Sequence, residues 1–170
     1  ITKFDGAFIE YVPQGHCPNM RTKVKKDKFI NIIHLEYDPE WINRQVDKIE
    51  REYNIDRRKI YFAGFSGGSV LLSTWGFENS DRYAGMILSG GGAVAKTYRN
   101  CATSCPIPVY ISIGKDDSLH KSATLTRDQA QTCGHEVEFS EHTGVGHVYI
   151  KSDLNKIMQW FLDRPHQCIQ

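Results

Sequence analysis

The residues best suited to catalytic chemistry lie at Gly64–Gly68, where the sequence is Gly-Phe-Ser-Gly-Gly. The apolar run at 59–63 favours a β-strand, and the residues after the segment favour a helix to about Phe77. Between a strand and a helix, Gly-x-Ser-x-Gly is typical of a sharp turn that exposes its serine. Glycines on both sides relieve the steric crowding of such a turn. The pattern therefore predicts Ser66 as a nucleophile.

A serine hydroxyl becomes a useful nucleophile when a base accepts its proton and a third group holds that base in one tautomer. Candidates for the third group follow the strand predicted at 107–113, where Asp116 and Asp117 stand side by side. Either aspartate is also in place to cap the helix that begins near Leu119. The residues alone do not decide which of the two aspartates orients the base.

Candidates for the base follow the strand predicted at 136–140. His142 is nearer to the end of that strand, whereas His147 follows the flexible turn Gly144-Val145-Gly146. A catalytic histidine loop needs such a turn, so His147 is the favoured base and His142 its rival. All three candidate groups follow strand ends, in the chain order serine, aspartate, histidine.

Strands alternate with helices along the chain, and this predicts an α/β fold with a mostly parallel sheet covered by helices on both faces. The sheet would hold about six strands. We expect them near 6–12, 29–34, 59–63, 84–89, 107–113 and 136–140. Ligands of open α/β sheets bind at the carboxyl ends of the strands, where the candidate residues lie. The length of 170 residues predicts a single domain over 1–170.

The elbow, the Gly-x-x-Asp turn and the Gly-His turn resemble those of the α/β-hydrolase superfamily. Within it, the chain is most similar to small esterases of the polyhydroxybutyrate-depolymerase and feruloyl-esterase type, or to dienelactone-hydrolase-like enzymes. The resemblance covers about residues 38–163. It implies a triad of Ser66, Asp117 and His147, because Asp117 is the fourth residue of the turn that starts at Gly114; Asp116 is the alternative.

The resemblance also implies an oxyanion hole with two backbone donors. One is the N–H of Gly67, and the other comes from a loop after an earlier strand. If residues 7–12 form that strand, Gly15 is the candidate. A second alignment assigns residues 7–15 to the next strand, and the chain then lacks the N-terminal strands that hold the second donor.

The function implied is cleavage of carboxylic esters through an acyl-enzyme. The alternatives are a catalytically silent binding protein of the same fold, or a thioesterase or peptidase on the same triad. The segment between Ser89 and Ile107 is short for a helical lid. An open site favours small-molecule or polymer-borne esters as substrates, and no cofactor or metal is expected. The oligomeric state stays open.

Charge and composition argue against other classes of partner. The net charge is +1, so neither nucleic acid nor an anionic membrane is expected as a partner, and the basic run at 21–28 is interpreted as a solvated loop. No apolar segment approaches the roughly 20 residues of a membrane helix. No signal peptide is visible; the chain begins at Ile1, which suggests a mature or trimmed form.

The chain holds five cysteines, at positions 17, 101, 105, 133 and 168. One or two disulfides in an extracytoplasmic protein would explain them, and so would buried thiols. A zinc site at Cys101, Cys105, Cys133 and His135 is disfavoured, because the spacing fits no common zinc motif.

Overall fold

Four parallel strands form the sheet that carries the candidate residues. In the computed structural model, which describes residues 39–93, 105–150 and 154–164, they are β1 (Tyr61–Phe65), β2 (Gly85–Ser89), β3 (Val109–Gly114) and β4 (Val137–His142). Their order in the sheet equals their order in the chain. This confirms the α/β class and four of the predicted strands; those expected near 6–12 and 29–34 lie outside the described residues.

Helices connect β1 to β2 and β3 to β4, since parallel neighbours need a crossover. The helices are α1 (Pro39–Glu52), α2 (Gly67–Leu71), α3 (His120–Thr132) and α4 (Leu154–Leu162). A wider π-helical turn at Leu72–Gly76 continues α2. Pro39 is the first residue of α1, a position where its missing N–H costs nothing. All described residues belong to one compact unit that begins at Pro39.

The two faces of the sheet are buried under different helices. Met86 and Leu88 of β2 pack in a cluster with Leu72 and Ala123, which follow α2 and lie on α3 respectively. Ile87, between them in the strand, packs with Phe161 of α4 on the other face. Successive side chains of a strand point to opposite faces, so an uninterrupted apolar strand needs cover on both. The structure confirms helices on both faces.

The register aligns the carboxyl ends of the strands. Phe65 lies beside Ser89, Ser89 beside Ser112, and Gly114 beside His142. The loops that follow β1, β3 and β4 therefore leave the sheet at one edge. This edge is where the candidate side chains meet.

Candidate active site

Ser66 forms the turn between β1 and α2 in a strained backbone conformation. Its φ and ψ are 54° and −113°, and it is the one non-glycine residue with positive φ among those described. Such a conformation costs free energy and persists where the surrounding structure enforces it. The predicted sharp turn is thus present, with the serine at its tip.

Gly64 and Gly68, which lie two residues before and after Ser66, have different roles. A Cβ atom on Gly64 would lie 2.5 Å from the carbonyl carbon of Gly68 and 2.8 Å from the nitrogen of Ser69. A Cβ atom on Gly68 would meet nothing within 4 Å. From the sequence, both glycines are expected to be sterically required. The structure supports this for Gly64 and corrects it for Gly68.

Ser69 braces the turn and was not identified from the sequence. Its side chain is buried, and Oγ lies 2.7 Å from the Gly64 carbonyl oxygen and 2.8 Å from that of Ser89. The single hydroxyl proton is donated to one of these two acceptors at a time. The Ser66 N–H donates to the Ser89 carbonyl as well, at 2.9 Å. Together these bonds fasten the elbow to the end of β2.

Asp117 and Asp116 point into different environments. The Asp117 side chain is fully buried; Oδ1 accepts the Leu119 N–H at 2.8 Å, and Oδ2 is 2.8 Å from Nδ1 of His147. Asp116 is exposed, and its backbone N–H donates to the Val145 carbonyl. The structure therefore brings Asp117 to the histidine. The same carboxylate also holds the Leu119 N–H just ahead of α3.

The histidine loop reaches the acid turn by a close backbone approach. A Cβ atom on Gly114 would lie 2.0 Å from the Val145 carbonyl oxygen, so only glycine fits there. Gly144 has a φ of 75°, in the left-handed region that glycine adopts without strain. The Lys115 N–H donates to the His142 carbonyl at 2.9 Å and joins the two turns further. Of the two glycines before His147, Gly144 thus has a conformational basis, whereas a Cβ atom on Gly146 would meet nothing within 4 Å.

His147 lies between the acid and the serine. Its Nε2 is 2.9 Å from the Ser66 Oγ. His142, the rival base, has Nε2 3.2 Å from both the Ser112 and Ser140 hydroxyls. A carboxylate oxygen only accepts hydrogen bonds, so Nδ1 of His147 carries a proton, and in the neutral imidazole Nε2 is then the acceptor for the serine hydroxyl. The arrangement can remove a proton from Ser66.

An aromatic ring covers the imidazole, and sequence reasoning did not identify it. The Phe65 ring stacks on His147 with centroids 5.1 Å apart and planes at 27°. Tyr149 approaches the same ring edge-on at 5.9 Å. The only signal in the sequence was the position of Phe65 directly before Ser66.

The predicted oxyanion donors fall partly outside the described residues. Gly67 is the first residue of α2, where backbone N–H groups have no partner within the helix. Gly15 lies outside the described residues, as does most of the segment between Ser89 and Ile107 that was interpreted as lidless. Gly67 is therefore placed beside the serine, and the second donor stays a prediction.

Two of the cysteines weighed as zinc ligands are held in disulfides. Cys105 and Cys133 are both disulfide-bonded, so neither is a free thiolate. The Nδ1 atom of the nearby buried His135 accepts the Ile107 N–H at 3.0 Å. In the described part of the chain, no group of three or more His, Cys, Asp or Glu residues is arranged to hold a metal ion.

A surface groove of about 180 Å³ lies apart from the triad residues. It is lined by Val46, Asp47, Glu50, Arg57, Asp81 and Arg82. Arg57 pairs with Glu50 at 3.1 Å and Arg82 with Asp47 at 2.6 Å, so its charges are largely matched within the protein. No serine, cysteine or histidine lines the groove, and the candidate catalytic residues lie at the sheet edge instead.

Comparison with known proteins identifies the fold family. The family model described as Phospholipase/Carboxylesterase matches residues 39–164. The chain belongs to this family. Membership confirms the α/β-hydrolase superfamily predicted from the motifs. None of the helices in the described residues is long and apolar enough to cross a membrane.

Solved structures of similar fold include esterases. Arabidopsis thaliana SOBER1 has a TM-score of 0.58 at 20% identity over 74% of this chain and 61% of its own. The Bacillus cereus carboxylesterase has a TM-score of 0.58 at 18% identity, over 74% of this chain and 59% of its own. At such identities the likeness shows the fold alone.

A curated relative matches a shorter region. A bifunctional acetylxylan esterase/xylanase of Neocallimastix patriciarum is 24% identical over 82 residues, which are 48% of this chain and 12% of that protein. The chain thus spans a small part of this relative and about three fifths of the two solved structures named above.

Proposed function

We propose that this protein is a serine hydrolase that cleaves carboxylic esters through a Ser66–His147–Asp117 triad and an acyl-enzyme. The observation that carries the proposal is the unbroken hydrogen-bonded chain from the buried Asp117 carboxylate through His147 to a serine held at positive φ. A strained serine, a base in contact with it and a buried acid behind the base together make up the arrangement that activates a hydroxyl.

The proposed reaction has two steps. Nε2 of His147 takes the Ser66 proton as Oγ attacks the ester carbonyl, and the backbone N–H of Gly67 stabilises the oxyanion together with the second donor predicted near Gly15. The imidazolium, stabilised by Asp117, then protonates the departing alcohol. Water, deprotonated by His147, cleaves the acyl-enzyme in the same way and restores Ser66.

For the substrate we propose short-acyl esters, on small molecules or carried by a polymer. The partial match to the acetylxylan esterase/xylanase supports this, because the name of that protein includes an acetylxylan esterase activity. A clear preference for long-chain emulsified triglycerides over short-chain esters would contradict this substrate class.

The test of the proposed function is the Ser66→Ala variant. We expect turnover of p-nitrophenyl acetate to fall by about 10⁵- to 10⁶-fold, as when a triad serine is removed from subtilisin. Ser122→Ala is the matched control, because its hydroxyl bonds only to the Leu119 carbonyl among the described contacts.

Labelling separates the enzyme from its alternatives. A fluorophosphonate should attach to Ser66 in the wild type and in Ser122→Ala, and not in Ser66→Ala. Unchanged activity in Ser66→Ala would eliminate Ser66 as nucleophile. A folded wild type that forms no adduct would instead support a catalytically silent binding protein.

A further inference from the structure

Phe65 is an apolar ring left 38% exposed at the end of a strand, directly before the proposed nucleophile. Its ring lies against the face of the His147 imidazole, with centroids 5.1 Å apart and planes at 27°. The ring therefore contacts the proposed base and not the hydrophobic core.

Gly90 and Tyr149 define the space that the Phe65 ring occupies. Gly90 has a φ of +62°, and a Cβ atom there would lie 2.6 Å from Cε2 of Phe65 and 3.5 Å from Cε1 of His147. Tyr149 meets the ring edge-on, with an interplanar angle of 82°. The absence of a side chain at Gly90 thus makes room for the ring, and Tyr149 limits its movement from another direction.

The imidazole needs such a contact because its other restraints lie in its own plane. Nδ1 is hydrogen-bonded to Asp117 and Nε2 to Ser66, and these two bonds fix the orientation of the ring within its plane. The side chain is 39% exposed and stands in a loop, so a tilt out of that plane meets little resistance from packing. A parallel aromatic face opposes this tilt.

We infer that Phe65 is a positioning residue that keeps the His147 imidazole in the orientation needed to take the Ser66 proton. The inference rests on the proposed function, because it assigns to Phe65 a role in that reaction. Loss of the ring should reduce kcat more than it changes KM, because Phe65 acts on the base. Small displacements of reacting groups are costly: about 100-fold for 1 Å.

The experiment compares Phe65→Ile and Phe65→Leu, which remove the ring, with Phe65→Tyr, which keeps it. Phe62→Ile is the matched control: Phe62 lies in the same strand, but its ring packs with Trp75 and Tyr83. For each variant, kcat and KM for p-nitrophenyl acetate, the thermal midpoint and the low-field ¹H NMR signal of the proton between His147 and Asp117 are measured.

We expect kcat to fall by about 10- to 100-fold in both ring-less variants, and the NMR signal to broaden or vanish as the imidazole tilts. Phe65→Tyr should keep the signal and recover kcat to within about threefold, because the stacked face is retained. Phe62→Ile should lower the thermal midpoint while its signal and kcat stay close to the wild type. A general loss of stability therefore does not reproduce the expected pattern.

Ring-less variants with wild-type kcat and an intact signal would overturn the inference. So would a Phe65→Tyr variant as impaired as Phe65→Ile. Ser66→Ala is assayed in parallel: if it stays active, the proposed function fails. If it is inactive while Phe65→Ile is unimpaired, only the role of Phe65 fails.

Discussion

The two adjacent aspartates after β3 differ in what surrounds their carboxylates. Asp117 is buried and its carboxylate bonds His147. Asp116 is exposed, and its backbone N–H donates to the Val145 carbonyl. We predict that Asp117→Asn lowers kcat by about 10⁴-fold, because an amide cannot hold the histidine in the required tautomer. Steady-state kinetics with p-nitrophenyl acetate measures the loss.

The control is Asp116→Asn, which makes the same chemical change on the solvent side of the turn. It should retain kcat within about threefold, as expected for a surface substitution away from the site. Equal losses in the two variants would contradict the assignment of Asp117 as the acid. The register of the turn favours Asp117 in the sequence, and its burial is the independent observation that supports the choice.

At the scale of elements, the elbow depends on how closely β1 approaches the start of α2. A Cβ atom on Gly64 would be 2.5 Å from the backbone of Gly68. Because the clash is with backbone atoms, no side-chain movement can relieve it. We predict that Gly64→Ala lowers the free energy of unfolding by about 1–3 kcal/mol or more and reduces activity, since the clash is resolved by moving the turn. Urea unfolding and the ester assay measure these effects.

Gly68→Ala is the matched variant on the other side of Ser66. Its Cβ would enter open space, and alanine is favoured over glycine in a helix by up to about 1 kcal/mol. We therefore expect unchanged or slightly raised stability for this variant. A loss of stability as large as that of Gly64→Ala would show that the turn differs from the one described.

At the scale of the whole molecule, the buried His135 couples stability to pH. Its side chain is 3% exposed, lies against the Phe77 ring and has no hydrogen-bond partner for Nε2 among the described residues. Burial lowers the pKa of His135 below its usual value of 6.5. The folded protein therefore resists protonation of this ring more than the unfolded chain does.

The sign of the effect follows from which state binds more protons. Below pH about 6.5 the unfolded state gains a proton on His135 before the folded state does, so the free energy of unfolding falls as the pH falls. The contribution is fully present above pH 6.5, and the slope below it reaches at most about 1.4 kcal/mol per pH unit.

Urea unfolding between pH 7.5 and 5 measures this slope. We predict a shallower dependence for His135→Gln than for the wild type, since glutamine does not titrate and the other histidines are shared by both proteins. Parallel curves for the two proteins would rule out His135 as a source of the acid lability.

The amino-acid sequence by itself determined the fold class, four of the strands and the chemistry to expect at Ser66. These features are carried by local patterns: apolar runs of strand length, helical spacing, and a glycine-serine-glycine segment between two elements. Such patterns act over a few residues, so they can be interpreted without knowledge of distant contacts. The order of serine, aspartate and histidine was also sufficient to indicate the superfamily.

Only the tertiary structure decided which neighbours share the site. Asp117 rather than Asp116, and His147 rather than His142, face each other because the backbone of Val145 rests on Gly114. The brace at Ser69 and the ring of Phe65 over the imidazole depend on the register of β1 against β2 and on a loop far along the chain. Contacts between segments distant in sequence leave no local pattern, and packing alone selects them.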